Sequence, residues 1–208
     1  SLPSVLEELK KYNYEIIVVL HPNDEETILS IKNYKIQIIL QKNFGYGDAL
    51  ITGIKSTKTD YFCIFNADGS FIPEEIKIMY DKIQNENHDI IFGSRYLKNG
   101  KSDDDTLITL IGNYIFSNFG KLFFNLNISD ILYTFVLGKT NKVNQINLNS
   151  KDFGFCVELP IKAKKKGLSL SEISCHERAR IAGKKKVNAF KDGFLILVKM
   201  IKLFFNIN

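Results

Sequence analysis

The stretch that decides the fold is Tyr61-Phe-Cys-Ile-Phe-Asn-Ala-Asp-Gly69, an apolar run that ends in two oxygen-bearing side chains. Its β-branched and aromatic residues, bounded by a glycine and a proline, predict a strand buried on both faces. Ligands of open α/β sheets collect outside the carboxyl ends of such strands, which makes Asn66 and Asp68 candidate metal ligands. One carboxylate can suffice for Mg²⁺ when substrate phosphates and water complete its shell. The alternative is a turn into a helix capped by Ser70.

Apolar strands alternate with amphipathic helices along the chain. The patterns predict strands over residues 15–20, 36–40, 61–68, 89–93 and 168–174, and helices over 5–11, 25–32, 48–56, 73–83 and 112–124. A polar loop is expected over residues 99–105. This βαβ alternation predicts an α/β fold with a mainly parallel sheet flanked by helices.

Composition narrows the class of protein. The chain has 208 residues, 45% of them hydrophobic and 25% charged, which is typical of one globular domain. The net charge of +5 is modest, but lysines cluster over residues 162–166 and 184–186, which favours an anionic partner. Three widely spaced cysteines and no signal-peptide pattern favour a cytoplasmic protein with reduced thiols.

Three further segments carry candidate chemistry. The loop Asn43-Phe-Gly-Tyr-Gly-Asp-Ala49 precedes a helix, where glycines let a phosphate approach the backbone, although a plain turn explains it equally well. Gly93-Ser-Arg95 ends a strand with a guanidinium suited to phosphate. The basic segment Arg178 to Lys186 has no interleaved aromatic residues, which argues against nucleic acid.

These motifs follow one another in a fixed order over nearly the whole chain. The order is Asn43-x-Gly-x-Gly47, Asn66-Ala-Asp68, Gly93-Ser-Arg95, Asp130, Gly154-Phe155 with Glu158, and Arg180-x-x-Gly183-x-x-Lys186. This ordered set resembles the family-2 nucleotide-sugar glycosyltransferases, and within them the dolichyl- or polyprenyl-phosphate sugar transferases. The resemblance implies a GT-A fold, a GDP- or UDP-sugar donor, Mg²⁺ or Mn²⁺, and inversion at the anomeric carbon.

The resemblance also implies roles for individual residues. Asp68, with Asn66, would hold the metal on the donor diphosphate. Asn43, Gly45 and Gly47 would bind the donor.

The remaining implied roles concern the reaction itself. Asp130 would lie beside the reacting sugar. Arg95, Arg180 and Lys186 would neutralise phosphate charge.

The chain also departs from the family pattern. It opens at Ser1-Leu-Pro, as though the family's first strand were absent, and Leu20-His-Pro-Asn23 stands where the family has an Asp-Asp-Gly-Ser segment. Asn66 replaces an aspartate, Thr109 an arginine and Thr134 a glycine. Recognition of the nucleotide base and catalytic activity are therefore open at this point.

The C-terminal segment bears on the acceptor. We assign residues 1–190 to the catalytic domain and 191–208 to an amphipathic helix. Phe194 to Phe205 is apolar, but Lys199 and Lys202 interrupt it, which favours a helix at a membrane interface over one that spans; a core helix is the alternative.

We therefore expect a glycosyltransferase on the cytoplasmic membrane face that acts on a lipid phosphate. A lipid phosphate is already anionic near neutral pH, whereas a sugar hydroxyl would need a general base, for which Asp130 is the candidate. The alternatives are a soluble transferase that extends a surface polysaccharide, and a catalytically impaired relative that binds a nucleotide or a partner.

Overall fold

The computed structural model describes residues 1–182 and 188–207. The helices are α1 (Leu2–Leu9), α2 (Glu25–Ile31), α3 (Tyr46–Ser56), α4 (Glu74–Asn85), α5 (Leu107–Phe124), α6 (Thr140–Val143), α7 (Phe155–Lys165) and α8 (Ala189–Phe204). The strands are β1 (Ile17–Leu20), β2 (Gln37–Leu40), β3 (Tyr61–Ile64), β4 (Ile90–Ser94), β5 (Lys101–Ser102), β6 (Val136–Lys139), β7 (Leu170–Ser174) and β8 (His176–Glu177).

The main sheet has four strands in the order β3-β6-β4-β7. Strand β6 runs antiparallel to both β3 and β4, while β4 and β7 are parallel. Strands β3, β4 and β7 therefore run in the same direction, so the sheet is mainly parallel, as predicted. The exception is β6, which sequence periodicity did not identify and which inserts between two strands of the opposite direction.

Strands β1 and β2 form a separate parallel pair. Among the described residues no strand pairs with the second edge of β1 or of β3. Helix α1 spans both sheets on one side, because Leu6 packs with the β1–β2 cluster and Val5 with the cluster under β3. Helix α3 does the same on the other side, with Gly53 against Val19 and Ile54 in the core beside β3.

Several predicted boundaries shift. Strand β3 ends at Ile64, so the predicted strand end at residue 68 is wrong and Asn66 and Asp68 lie in a loop. Helix α5 begins at Leu107, five residues before the predicted start at 112, because Thr106 caps it by accepting a hydrogen bond from the backbone N–H of Thr109. The predicted polar loop over 99–105 contains the short strand β5, which pairs with β8.

Helix α8 packs on the domain against α5 and α7. Its buried residues Ile196, Met200 and Leu203 recur at helical spacing and join the largest core cluster. The opposite side of α8 is apolar and exposed. The helix therefore has two apolar sides, one packed in the core and the other exposed at the surface.

Candidate functional site

The loop after β3 holds Asp68 in a fixed orientation. Its Oδ1 accepts hydrogen bonds from the backbone N–H of Ser70 at 3.0 Å and from the Ser70 hydroxyl at 2.8 Å. Ser70 therefore closes a turn on Asp68 and does not cap α4, whose N-cap is Pro73. The other carboxylate oxygen, Oδ2, faces Arg180.

The segment before the undescribed residues lies against this loop. The backbone N–H of Arg178 donates to the Ser70 carbonyl, and that of Ile181 donates to the Asp68 carbonyl, both at 2.8 Å. Arg180 Nη1 is 3.9 Å from Asp68 Oδ2, and its Nη2 is 2.6 Å from Asp104 Oδ2. Arg180 is thus brought to the candidate metal ligand, while Lys186 lies outside the described residues.

Arg95 and Asp130 form a second, buried part of the site. The guanidinium donates through Nε and Nη2 to the two oxygens of Asp130, at 2.7 and 2.9 Å, and through Nη1 to Glu177 at 3.0 Å. Asp130 is fully buried and the Arg95 side chain is 10% exposed. Burial alone would lower the pKa of Arg95, but the hydrogen bonds and charge of Asp130 raise it overall. The guanidinium is therefore charged at neutral pH, whereas burial raises the pKa of Asp130 despite the hydrogen bonds that it accepts from Arg95.

The two arginine sites are joined by a hydrogen-bond network that the sequence did not predict. Asp104, which holds Arg180, donates its backbone N–H to the Ser102 hydroxyl at 3.2 Å. That hydroxyl donates to Glu177, which also accepts from Arg95. The run of three aspartates at 103–105 was the available signal for Asp104; nothing local distinguished Glu177.

The glycine loop before α3 packs on another loop of the protein. A Cβ on Gly45 would lie 2.0 Å from the Lys151 carbonyl oxygen, and one on Gly47 would lie 2.3 Å from the Ser150 carbonyl oxygen. Gly45 also has a positive φ of 126°, which favours glycine. These glycines therefore allow contact with residues 150–152. The side-chain amide of Asn43 donates to the carboxylate of Asp48 at 3.0 Å, a hydrogen bond within the same loop.

Tyr46 connects the glycine loop to the candidate metal loop. Its hydroxyl is 2.6 Å from the Thr134 hydroxyl and 3.3 Å from Asn66 Oδ1, and its ring stacks on Phe153. Burial raises the pKa of the Tyr46 phenol, which keeps its proton available for donation. Two departures from the family pattern, Asn66 and Thr134, thus both contact the hydroxyl of the half-buried Tyr46.

Glu158 anchors the loop on which the glycines pack. The carboxylate is fully buried and accepts from the backbone N–H groups of Asn149 and Ser150. It also pairs with Lys162 at 2.6 Å and Lys199 at 3.1 Å. The expectation that Lys199 faces lipid headgroups is therefore wrong, because this buried carboxylate draws the lysine inward.

The balance of charge suits a divalent cation. Four carboxylates (Asp68, Asp104, Asp130 and Glu177) meet two guanidinium groups (Arg95 and Arg180), which leaves two negative charges in excess. Over the residues the structure describes, no group of three or more His, Cys, Asp or Glu side chains forms a metal cage. A cation at Asp68 would therefore share its coordination with substrate phosphates and water. The residues present fit such a shared site.

Comparison with known proteins places this geometry in context. The family model described as "Glycosyl transferase family 2" matches residues 1–146. A UDP-N-acetylglucosamine–dolichyl-phosphate N-acetylglucosaminyltransferase of Methanococcus voltae is 26% identical over 210 residues, which cover 83% of this chain and 78% of that protein. The dolichol-phosphate mannosyltransferase of Pyrococcus furiosus is 36% identical over 102 residues, or 46% of this chain and 28% of that protein.

A solved structure shows the same fold. The glucosyl-3-phosphoglycerate synthase of Mycobacterium tuberculosis, crystallised with Mn²⁺, UDP and glucosyl-3-phosphoglycerate, superposes with a TM-score of 0.77. The match covers 100% of this chain and 76% of that chain at 11% identity. This likeness extends to the fold alone, which is GT-A.

Proposed function

The chain belongs to glycosyl transferase family 2, and from that premise we propose that it transfers a sugar from a GDP- or UDP-sugar to a polyprenyl or dolichyl phosphate, with inversion at the anomeric carbon. The acceptor class is supported by two relatives whose names specify dolichol or dolichyl phosphate. The donor class is supported by family membership and by the charge balance around Asp68.

The observation that carries the acceptor assignment is the state of Asp130. A hydroxyl acceptor needs a base within hydrogen-bond reach of its proton. Asp130, the candidate base, is fully buried and bound at both oxygens by Arg95. A phosphate acceptor needs no such base, because it is already an anion near neutral pH. Asp130 then serves as a positioning residue that orients Arg95.

Charge on the leaving group is the second requirement. Departure of a nucleoside diphosphate develops negative charge, which cations stabilise more in the transition state than in the ground state. A Mg²⁺ or Mn²⁺ ion held by Asp68, with Asn66 beside it, would supply this stabilisation on the diphosphate. Within the part of the chain that the structure describes, the guanidinium of Arg180 lies beside Asp68, so we assign Arg180 to the phosphate groups of the donor.

The surroundings of Arg180 suit an acceptor with a lipid chain. Arg180 is held by Asp104, only three residues before the first residue of α5, a reach of at most about 11 Å. The first turns of α5 expose Leu107 and Ile108. A cation bound by a residue this close in the chain to exposed aliphatic side chains supports an acceptor phosphate attached to a polyprenyl chain.

The remaining parts of the proposal concern location. We assign the protein to the cytoplasmic face of the membrane, where α8 contacts the bilayer peripherally through its exposed apolar side. Of the described helices, α5 alone is long and apolar enough by length and composition to cross a membrane.

A donor screen tests the proposed function. The chain would be incubated with GDP- and UDP-sugars and a short prenyl phosphate, with Mn²⁺ or with EDTA, and release of the nucleoside diphosphate would be measured. We expect release that depends on both metal and acceptor. Nucleotide binding without release under any condition would instead support the impaired relative.

A further inference from the structure

A short series of hydrogen-bonding side chains lies beside the candidate metal loop. The hydroxyl of Tyr46 is 2.6 Å from the hydroxyl of Thr134 and 3.3 Å from Oδ1 of Asn66. These side chains come from three segments of the fold, namely the first residue of α3, the loop after β3 and the residues just before β6. Tyr46 therefore connects Asn66 to two other parts of the domain.

The direction of these hydrogen bonds follows from the burial of Thr134. Its side chain is only 6% exposed, and within the described part of the chain its hydroxyl contacts no hydrogen-bonding group other than the Tyr46 hydroxyl. A buried hydroxyl proton that lacks an acceptor is unfavourable. Thr134 therefore donates its proton to the oxygen of Tyr46.

Tyr46 in turn donates to Asn66. A phenol has one proton to donate, and since the Thr134 hydroxyl acts as a donor, the acceptor for this proton is Oδ1 of Asn66. Burial is the main cause of the raised pKa of Tyr46, so the phenol keeps its proton at neutral pH. The amide oxygen of Asn66 is therefore held on the side of Tyr46.

The NH2 group of Asn66 is the other half of this amide. It has two protons to donate, and it donates to none of the residues that the structure describes, while the side chain is half-buried. Asp68 follows two residues later in the same loop, and its negative charge also raises the pKa of Tyr46, so its carboxylate lies near the same hydroxyl. The NH2 group is therefore available to a ligand bound at Asp68.

We infer that Thr134 and Tyr46 orient the side chain of Asn66 so that its NH2 group donates a hydrogen bond to a diphosphate oxygen of the nucleotide-sugar. Asn66 then binds the nucleotide-sugar directly and is not a metal ligand, because its oxygen is occupied by Tyr46. Tyr46 is a positioning residue, since it acts through Asn66. The inference rests on the proposed function for the identity of the ligand.

The charges nearby suit an N–H donor at this position. Asp68 and Asp104 already bring two carboxylates to Arg180. A third carboxylate at position 66 would add negative charge beside the diphosphate, whereas an NH2 group makes a charge-assisted hydrogen bond to it. The asparagine at position 66 is therefore a change of role and is compatible with activity.

The side-chain NH2 signals of Asn66 test the inference directly. They would be recorded by proton–nitrogen correlation NMR of the full chain and assigned by their absence in Asn66→Ala. The probes are UDP, GDP and inorganic diphosphate, each added with Mg²⁺, and the reference is Mg²⁺ alone. We expect the NH2 signals to shift when a diphosphate is added and to keep their positions with Mg²⁺ alone.

Binding measurements separate a hydrogen bond to the diphosphate from coordination of the metal. Asn66→Ala should lower the affinity for UDP or GDP with Mg²⁺ about tenfold, the size expected for one hydrogen bond to a charged group. It should leave the affinity for Mn²⁺ alone unchanged, as measured by electron paramagnetic resonance of the free ion. The control is Asn118→Ala, which removes an exposed amide that donates to the Tyr114 carbonyl within α5 and should change neither affinity.

A double-mutant cycle tests whether Tyr46 acts through Asn66. Tyr46→Phe removes the hydroxyl that holds the amide oxygen, so it should weaken nucleotide binding by no more than Asn66→Ala does. The double variant should lose no more affinity than Asn66→Ala alone, because the two residues act as one unit. Tyr61→Phe, which deletes a phenol hydroxyl that accepts from Gln84, is the control and should have no effect.

Three results would overturn the inference. The first is a shift of the Asn66 NH2 signals with Mg²⁺ alone, or weaker Mn²⁺ binding by Asn66→Ala, since either would make Asn66 a metal ligand. The second is a double variant whose loss is the product of the two single losses. The third is the absence of a shift with all three diphosphates. If the NH2 signals shift as expected but no sugar is transferred, the proposed function fails alone.

Discussion

Arg95 and Asp130 are bound to each other through two parallel hydrogen bonds in the interior of the protein, with Nε to Oδ2 at 2.7 Å and Nη2 to Oδ1 at 2.9 Å. The backbone N–H of Arg95 adds a third bond to Asp130. Since Glu177 also accepts from Arg95, the guanidinium is held on three sides. Asp130, the candidate base in the sequence, therefore has both carboxylate oxygens bound to Arg95 and holds that cation in place.

Asp130→Asn should destabilise the fold. Removing one partner of a buried ion pair typically costs about 3–5 kcal/mol, because the other charge is left uncompensated. Urea unfolding would measure the change in the free energy of unfolding. The control is Asp81→Asn, which breaks an exposed pair with Lys77 and should cost about 1 kcal/mol or less. Equal midpoints for the two variants would contradict the buried pair.

The kinetic effect of Asp130→Asn depends on the acceptor. With a lipid phosphate the loss in kcat should be moderate, since no proton has to be removed. With a hydroxyl acceptor, removal of a general base would cost about 10²–10⁴-fold. A loss of that size with a phosphate acceptor, in protein that remains folded at the assay temperature, would refute the positioning role.

Asp68→Ala should abolish metal-dependent nucleotide binding, and Asn66→Ala should weaken it less, because a carboxylate binds a hard divalent cation better than an amide does. Calorimetry of UDP and GDP with Mn²⁺ is the measurement. Asp103→Ala removes a nearby carboxylate that pairs with His176 instead, and serves as the control. Affinity that is unchanged by EDTA would eliminate the metal site.

Arg180→Ala should lower turnover by roughly 10²-fold, the usual cost of losing one preorganised donor to a developing charge. Arg178→Ala is the matched control, because Arg178 lies two residues away yet pairs with Glu8 and the Phe71 carbonyl. Lys186→Ala is expected to act as Arg180→Ala does. Neither Arg180→Ala nor Lys186→Ala should affect binding to vesicles, because we assign contact with the bilayer to the exposed apolar side of α8. If Arg178→Ala and Arg180→Ala lower turnover equally, the effect belongs to the segment rather than to the guanidinium.

Glu158 makes stability depend on pH. Burial alone would raise its pKa, but hydrogen bonds from Lys162 and the backbone, with the charge of Lys199, lower it below 4.5 overall. A lowered pKa in the folded state gives stability that is present above about pH 4.5 and lost as the pH falls through the folded value.

Glu158→Gln should therefore cost about 2 kcal/mol or more near pH 7 and progressively less below about pH 4.5. Denaturant unfolding at several pH values would give the difference from the unmodified chain. Glu25→Gln, an exposed change on α2, is the control. A difference that stays constant from pH 7 to pH 3 would exclude this linkage.

Sequence periodicity located most elements because their buried faces repeat at helical or strand spacing. It placed the start of α5 too late, since the helix carries apolar residues on its exposed side as well and shows no polar face before Asn113. Periodicity predicted no strand at Val136–Lys139, the segment that forms β6. The antiparallel insertion of β6 depends on pairing with β3 and β4, which are distant in sequence.

The sequence suggested individual candidate site residues but not the pairs that they form. Motif order suggested Asp68, Arg95, Asp130 and Arg180, and the structure brings Arg95 to Asp130 and Arg180 to Asp68. It also gives each arginine a further carboxylate, Glu177 or Asp104, about 80 residues away in sequence. Such contacts depend on how strands and loops meet in space, which a single sequence does not encode locally.

The most direct measurement of the central claim compares two acceptors that differ only in the phosphate. A short prenyl phosphate and the corresponding prenyl alcohol would be incubated with the chain, Mn²⁺ and the donor that gives release, and the products would be identified by mass spectrometry and the anomeric configuration by NMR. We predict sugar attached to the prenyl phosphate with inverted configuration, and none on the alcohol. Transfer to the alcohol, or to a sugar hydroxyl in preference to the phosphate, would contradict the account.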